Sequence, residues 1–146
     1  MEAGFDGVVI PDLPPDQETS FNGLADKYGM SPVYLIAPTT SDARSRMITK
    51  KSKGFIYYVS LRGVTGARKA LPEDVGRHLR KLKKMTHKPI LVGFGVSTPE
   101  QAKSLSRESD GVIVGSAIIE CVRRSAGKRE PVERFVRKLV RAAKGG

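Results

Sequence analysis

The sequence predicts an α/β fold with a parallel sheet, as a single domain over residues 1–146, and three observations carry that expectation. Five short runs rich in β-branched residues alternate with helix-length segments. Each run is nearly continuously apolar, the pattern of strands covered on both faces rather than wetted on one. The length, 146 residues, suits one ordinary domain. Parallel strands joined by helices admit two architectures, an open doubly wound sheet or a section of a β/α barrel. A closed eight-stranded barrel takes about 250 residues, so only a section fits here.

The strand runs are residues 7–10, 32–36, 54–59, 89–92 and 111–114. The first helix is expected over 16–29, opening on acidic residues and stopping at Gly29. The second, over 41–53, opens on Ser41-Asp42 and ends in lysines before Gly54. Leu71-Pro72-Glu73-Asp74 opens the third, with Val75, Leu79 and Leu82 on one stripe. Ser97-Thr98-Pro99-Glu100 opens the fourth, with Ala102 and Leu105 inward. Residues 116–124 read as a short helix, 125–131 break it, and a basic amphipathic helix finishes the chain. In that last helix Val132, Phe135, Val136, Leu139, Val140 and Ala143 share an inward face. Arg134, Arg137, Lys138, Arg141 and Lys144 lie opposite, on a solvated one.

Composition bounds the function. With 39% hydrophobic and 28% charged residues the chain is a folding one, not a disordered one. No apolar stretch approaches the roughly 18 residues of a membrane span, and no secretory signal precedes the first strand, so a cytoplasmic location is expected. Cys121 is the single cysteine, which excludes an intrachain disulfide and a cysteine metal site and suits a buried structural thiol. The net charge of +11 sits mostly in residues 62–88 and 122–146, each net +7. Both tracts have helical spacing, and no aromatic stripe or zinc-finger spacing accompanies them. They read as solvated helix faces, and a nucleic-acid partner is not expected.

Three glycine-bearing segments come after three successive strands: Arg62-Gly63-Val64-Thr65-Gly66, Gly93-Phe94-Gly95-Val96-Ser97 and Gly115-Ser116-Ala117. All belong to one end of a parallel sheet, where α/β folds bind ligands. Glycine lets the backbone approach a ligand closely, and Gly115-Ser116 at a helix start offers N–H groups and a positive dipole end. The expected ligand is a phosphorylated small molecule. Each such turn alone is weak evidence; three in register carry the expectation together. His78 and His87 fall in or just after a helix, away from the strand ends, and read as surface residues.

These residues, with the run Gly7-Val8-Val9-Ile10-Pro11-Asp12-Leu13-Pro14 and with Tyr57 and Ser60 ahead of the first glycine loop, resemble the second half of the tryptophan synthase α subunit. The similarity spans nearly the whole chain, in motif order and spacing. It implies five strand–helix units of a TIM barrel. It also implies a cofactor-free retro-aldol cleavage of indole-3-glycerol phosphate to indole and glyceraldehyde 3-phosphate, beside a β subunit that consumes the indole. By that resemblance Gly66, Phe94, Gly95, Gly115 and Ser116 match positions that hold the substrate phosphate. Tyr57 matches an active-site tyrosine and Thr65 a mobile-loop threonine. Asp12 and Pro14 match a segment facing the β subunit. Leu61 departs from the pattern, standing where many relatives carry a charged residue.

The larger departure concerns catalysis. In the family the two proton-transferring carboxylates belong to the first half of the barrel, and neither has a counterpart here, so no catalytic residue is assigned. General acid–base catalysis contributes about 10²- to 10⁴-fold, so the chain alone is expected to bind phosphate with little turnover. Asp12 is the best substitute, although an acidic residue there suits helix initiation or an interface equally. No metal or cofactor is implied. A barrel section leaves apolar strand edges at residues 8–10 and 112–114. It is expected to self-associate, to capture a separate N-terminal half, or to rearrange into a flavodoxin-like open sheet. Glu2-Ala3-Gly4 resembles the tail of a helix from longer relatives, the mark of a chain begun in mid-fold.

Overall fold

Every apolar run forms strand, the run 32–36 two short ones, and every pairing between strands is parallel. The structure, a computed structural model, describes residues 4–11, 19–59, 73–93 and 95–145. Among them the order is β1 (Gly7–Val9), α1 (Thr19–Lys27), β2 (Ser31–Val33), β3 (Leu35–Ile36), α2 (Asp42–Lys51), β4 (Ile56–Val59), α3 (Glu73–Lys83), β5 (Ile90–Gly93), α4 (Pro99–Ser106), β6 (Gly111–Ile113), α5 (Ser116–Arg124) and α6 (Arg129–Lys144). No helix among the described residues is long and apolar enough to cross a membrane.

Local chemistry sets the helix ends. Ser41 caps α2 through the Arg44 N–H, and Thr98 and Gln101 form a reciprocal capping box at α4 with Pro99 just inside. The expected break over 125–131 ends sooner, at Lys128, because Pro131 fits the first turn of α6, where a missing N–H loses no bond.

The run expected as one strand over 32–36 divides at Tyr34. Its N–H turns to the buried Ser52 Oγ at 3.0 Å, while its carbonyl still accepts from the Tyr57 N–H at 3.3 Å. The backbone thereby passes from β1, the partner of β2, to β4, the partner of β3. The strands then succeed one another as β3, β4, β5 and β6. A flavodoxin-like sheet would place its first strand between the second and third. Here β1 pairs with β2 and the order follows the chain, which is the order of a barrel section.

One hydrophobic core fills the space between sheet and helices. Tyr34, Ile36, Ile56, Tyr58, Ile90 and Val92 point from the strands toward Ile48, Leu79, Leu82, Ala102, Leu105 and Leu139 on the helices. The opposite face is covered less than the sequence implied: Leu35, Tyr57, Val59, Leu91 and Ile113 are only half-buried. Short apolar runs look alike whether one face is covered or two. In a barrel section the inner face turns toward the axis and is filled only by the facing strands of a closed ring.

The last helix corrects a second expectation. Its apolar positions form two ridges, not one buried face. Leu139 is buried and Phe135 packs against the core, whereas Val132 and Val136 are half-buried and Val140 is 45% exposed.

Candidate functional site

The register of β4, β5 and β6 aligns Val59 with Gly93 and Gly93 with Ile113, the last residues of the three strands. The three strands therefore end at one edge of the sheet. Tyr57 stands on the inner face of β4, and its ring leans across the end of β5. A Cβ built on Gly93 would lie 2.8 Å from Tyr57 Cζ and 3.0 Å from Cε1. Glycine at 93 is what allows that approach. Two residues on, Gly95 adopts φ +75°, a left-handed turn that favours glycine and redirects the chain toward α4.

Beyond β6, Gly115 is the N-cap of α5, with φ −115° and ψ −81° and no side-chain cap. Its carbonyl accepts from the N–H groups of Ile118 at 2.9 Å and Ile119 at 3.1 Å. Helix geometry leaves the N–H groups of Ser116 and Ala117 without an intrahelical acceptor. Gly115 and Ser116 are exposed, nothing lies within 4 Å of a Cβ at 115, and the first turn carries no acidic residue. Such an end attracts an anion through its N–H groups and the helix dipole.

Of the residues singled out in the sequence, Tyr57, Gly95, Gly115 and Ser116 are carried by three neighbouring strands to one edge. Asp12, Pro14, Leu61, Thr65, Gly66 and Phe94 lie outside the described residues. Sequence reasoning assigned Gly93 no role of its own. The signal for it was the parallel register, in which a glycine at a strand end sits beside an aromatic on the neighbouring strand. On the inner face formed by Leu35, Tyr57, Val59, Leu91 and Ile113, the Tyr57 phenol is the one titratable group among these five. Among the described residues no cluster of histidine, cysteine, aspartate or glutamate could hold a metal ion.

His78 is not the surface residue it was expected to be. Its Nδ1 lies 3.1 Å from the Tyr58 hydroxyl and the two rings meet edge to face at 5.5 Å. Burial holds the imidazole below its ordinary range, opposed by the Asp42 carboxylate, and burial pushes the Tyr58 hydroxyl up. His87 is exposed, as expected. Cys121 is half-buried, its Sγ 3.9 Å from the Pro131 carbonyl. It lines a cavity of about 660 Å³ with Ser97, Ala117, Arg124 and Phe135. That cavity is a space between helices, and its described lining includes none of Tyr57, Gly95, Gly115 and Ser116.

Much of the basic charge has acidic company. On α3, Arg77 pairs with Glu73, Arg80 with Glu108, Lys81 with Asp42 and Lys83 with Asp110. On α5, Glu120 holds both Arg123 and Arg124, which keep its carboxyl below the usual range.

Comparison with known proteins agrees with this geometry. The family model described as tryptophan synthase alpha chain matches residues 1–144. The tryptophan synthase alpha chain of Dehalococcoides mccartyi is 43% identical over 137 residues, covering 94% of this chain and 53% of that protein. That of a Thermoanaerobacter species is 42% identical over 132 residues, covering 90% and 50%. Among solved structures, the tryptophan synthase alpha chain of Legionella pneumophila superimposes with a TM-score of 0.82 at 31% identity, covering 99% of this chain and 54% of that one. A structure of the tryptophan synthase a2b2 complex from Pyrococcus furiosus gives 0.82 at 37% identity, covering 95% and 57%. The chain spans about half the length of the relatives it matches.

Proposed function

The chain belongs to the tryptophan synthase alpha chain family, and from that premise we propose that it provides the phosphate-holding part of a lyase site for indole-3-glycerol phosphate. One observation carries this reading: the ends of β4, β5 and β6 bring Tyr57, Gly95 and the uncapped start of α5 to the same edge. Phosphate sits at the Gly115-Ser116 end, held by N–H groups and dipole, with Gly95 at the neighbouring strand end; Gly66 and Phe94 are proposed as further phosphate contacts because they match the family's phosphate-holding positions. Tyr57 walls the space beside it, and Thr65 is proposed as a substrate contact because it matches the family's mobile-loop threonine.

Proton transfer is the other half of the chemistry. The carboxylates that perform it in the family belong to the part of the relatives that this chain does not span. The chain alone therefore binds the phosphate end and releases little or no indole; turnover needs the complementary half, in the same polypeptide or another. The solved relative from Pyrococcus furiosus is an a2b2 complex, and a β subunit is the proposed partner, with Asp12 and Pro14 in the segment that faces it. No cofactor is required for this cleavage.

Calorimetric titration with glycerol 3-phosphate tests the site. Millimolar, saturable binding is expected. Ser116→Glu places a carboxylate in the first turn of α5, which suits the helix dipole while repelling phosphate. Binding should vanish without loss of stability. Binding that survives Ser116→Glu would refute the site, and indole release by the purified chain would refute the division of labour.

A further inference from the structure

We propose that the groove between α2 and α3 binds a small molecule carrying two or more phosphates, at a place separate from the start of α5. Arg46, Thr49 and Lys50 of α2 face Lys81, Lys84 and Met85, at and just beyond the end of α3, across a cavity of about 390 Å³. That volume lies within the range of small-molecule sites, about 300–1,000 Å³. Thr49 is buried and Met85 half-buried, and the four cations stand exposed around them.

Elsewhere the chain gives its helix cations acidic partners. On the other flank of α3, Arg80 pairs with Glu108 and Lys83 with Asp110. Along the helices, Glu73 and Arg77, Glu120 and Arg124, and Glu133 and Arg137 are unlike charges four residues apart. The groove reverses that habit. Arg46 and Lys50 are like charges four apart, an arrangement that destabilises a helix. Arg46, Lys50 and Lys84 form no ion pair among the described residues. The nearby Asp42 carboxylate is bonded to Lys81 and feels the Arg46 charge without pairing with it. Nor does α2 need these cations as caps: Lys88 Nζ donates to the Thr49 carbonyl at 2.6 Å and the Lys50 carbonyl at 3.3 Å, near the end of the helix. The groove's cations are thus left for an anion from outside. A phosphate monoester carries about 1.5–2 negative charges near pH 7, so one phosphate leaves part of the groove unopposed, and two or three joined in one small molecule match it. The described lining includes no aromatic ring on which a base could stack, which sets nucleic acid aside.

Calorimetric titration of Ser116→Glu protein with inorganic tripolyphosphate at low salt tests the groove apart from the start of α5. Tripolyphosphate should bind at least about tenfold more tightly than orthophosphate. Arg46→Glu and Lys84→Glu should each weaken it about tenfold or more. Lys138→Glu, an equal change of charge on the solvated face of α6, should alter it less than about twofold. Arg46→Glu also turns the like pair with Lys50 into an unlike one, so its Tm should hold or rise while binding falls. Lys84→Gln replaces Lys84→Glu if the latter unfolds by circular dichroism. Equal affinity for orthophosphate and tripolyphosphate, citrate bound as tightly as tripolyphosphate, an equal loss in Lys138→Glu, or an oligonucleotide bound more tightly than tripolyphosphate would overturn the proposal. Glycerol 3-phosphate titrated into the unsubstituted chain and into Arg46→Glu reads the α5 site separately and should bind both alike.

Discussion

Gly93→Ala isolates the contact on which the site geometry rests. A methyl group at 93 would lie 2.8 Å from Tyr57 Cζ and 3.0 Å from Cε1, against the 3.5–4.0 Å at which carbon atoms pack without repulsion. Gly93 is buried in the strand, so the half-buried Tyr57 ring must swing away. Overpacking of this kind costs about 1–3 kcal/mol, offset by about 0.5–1 kcal/mol because alanine suits a strand better than glycine. The net expectation is a loss of about 0.5–2 kcal/mol, a fall in Tm of about 2–8 °C for a domain of this size. Removing the ring changes the sign: in a Tyr57→Ala background, Gly93→Ala should be neutral or stabilising by about 0.5 kcal/mol. Urea unfolding monitored by circular dichroism, in a full double-mutant cycle, reads both numbers. The same effect of Gly93→Ala in both backgrounds, a coupling under about 0.5 kcal/mol, would show that Tyr57 does not lie across the end of β5.

Three further outcomes are expected. Ser45 is fully buried in α2 with its Oγ unpartnered, so Ser45→Ala should stabilise the fold by about 1 kcal/mol in chemical denaturation. Thr98→Ala breaks the capping box of α4 and should cost about 1 kcal/mol by the same measurement. The His78 imidazole is held low by burial, so the unfolded chain takes up a proton near pH 6.5 before the folded one does. Stability should be complete above that pH and decline as pH falls below it, and a Tm series against pH on His78→Gln should flatten that slope.

What the sequence disclosed was what neighbours in the chain decide. Ser41 and Thr98 cap their helices within four residues, and residues 116–124 form a helix with the bounds their pattern implies. The division of the run 32–36 was hidden because it depends on Ser52, which meets the Tyr34 N–H only after α2 has folded back. His78 looked like a surface residue because its partner, Tyr58, is a tertiary neighbour. The outer ridge of α6 was hidden for a related reason. Helical spacing marks Val136 and Leu139 as equally apolar, and only the packing of α4 and α5 beside α6 decides which is covered. In the site, the glycines were legible as motifs, while the closeness of Tyr57 to Gly93 required the register of β4 on β5.

Phosphate binding and proton transfer separate cleanly in such a fold, and the separation has a measurable consequence. Anion binding needs little more than a strand end, a glycine and the first turn of a helix, which one stretch of chain supplies. Three or four charge-assisted hydrogen bonds, at about 1.5–3 kcal/mol each, stand against an association cost of about 4 kcal/mol or more and leave millimolar affinity. Recognition of an indole ring needs apolar walls on several sides. Here the inner face supplies one, with Leu35, Tyr57, Val59 and Leu91 half-buried. Inorganic phosphate and glycerol 3-phosphate should therefore bind the isolated chain within about tenfold of each other, and attaching the indole should gain about 1 kcal/mol at most. If the whole substrate bound a hundredfold more tightly than phosphate, a second wall would have to exist.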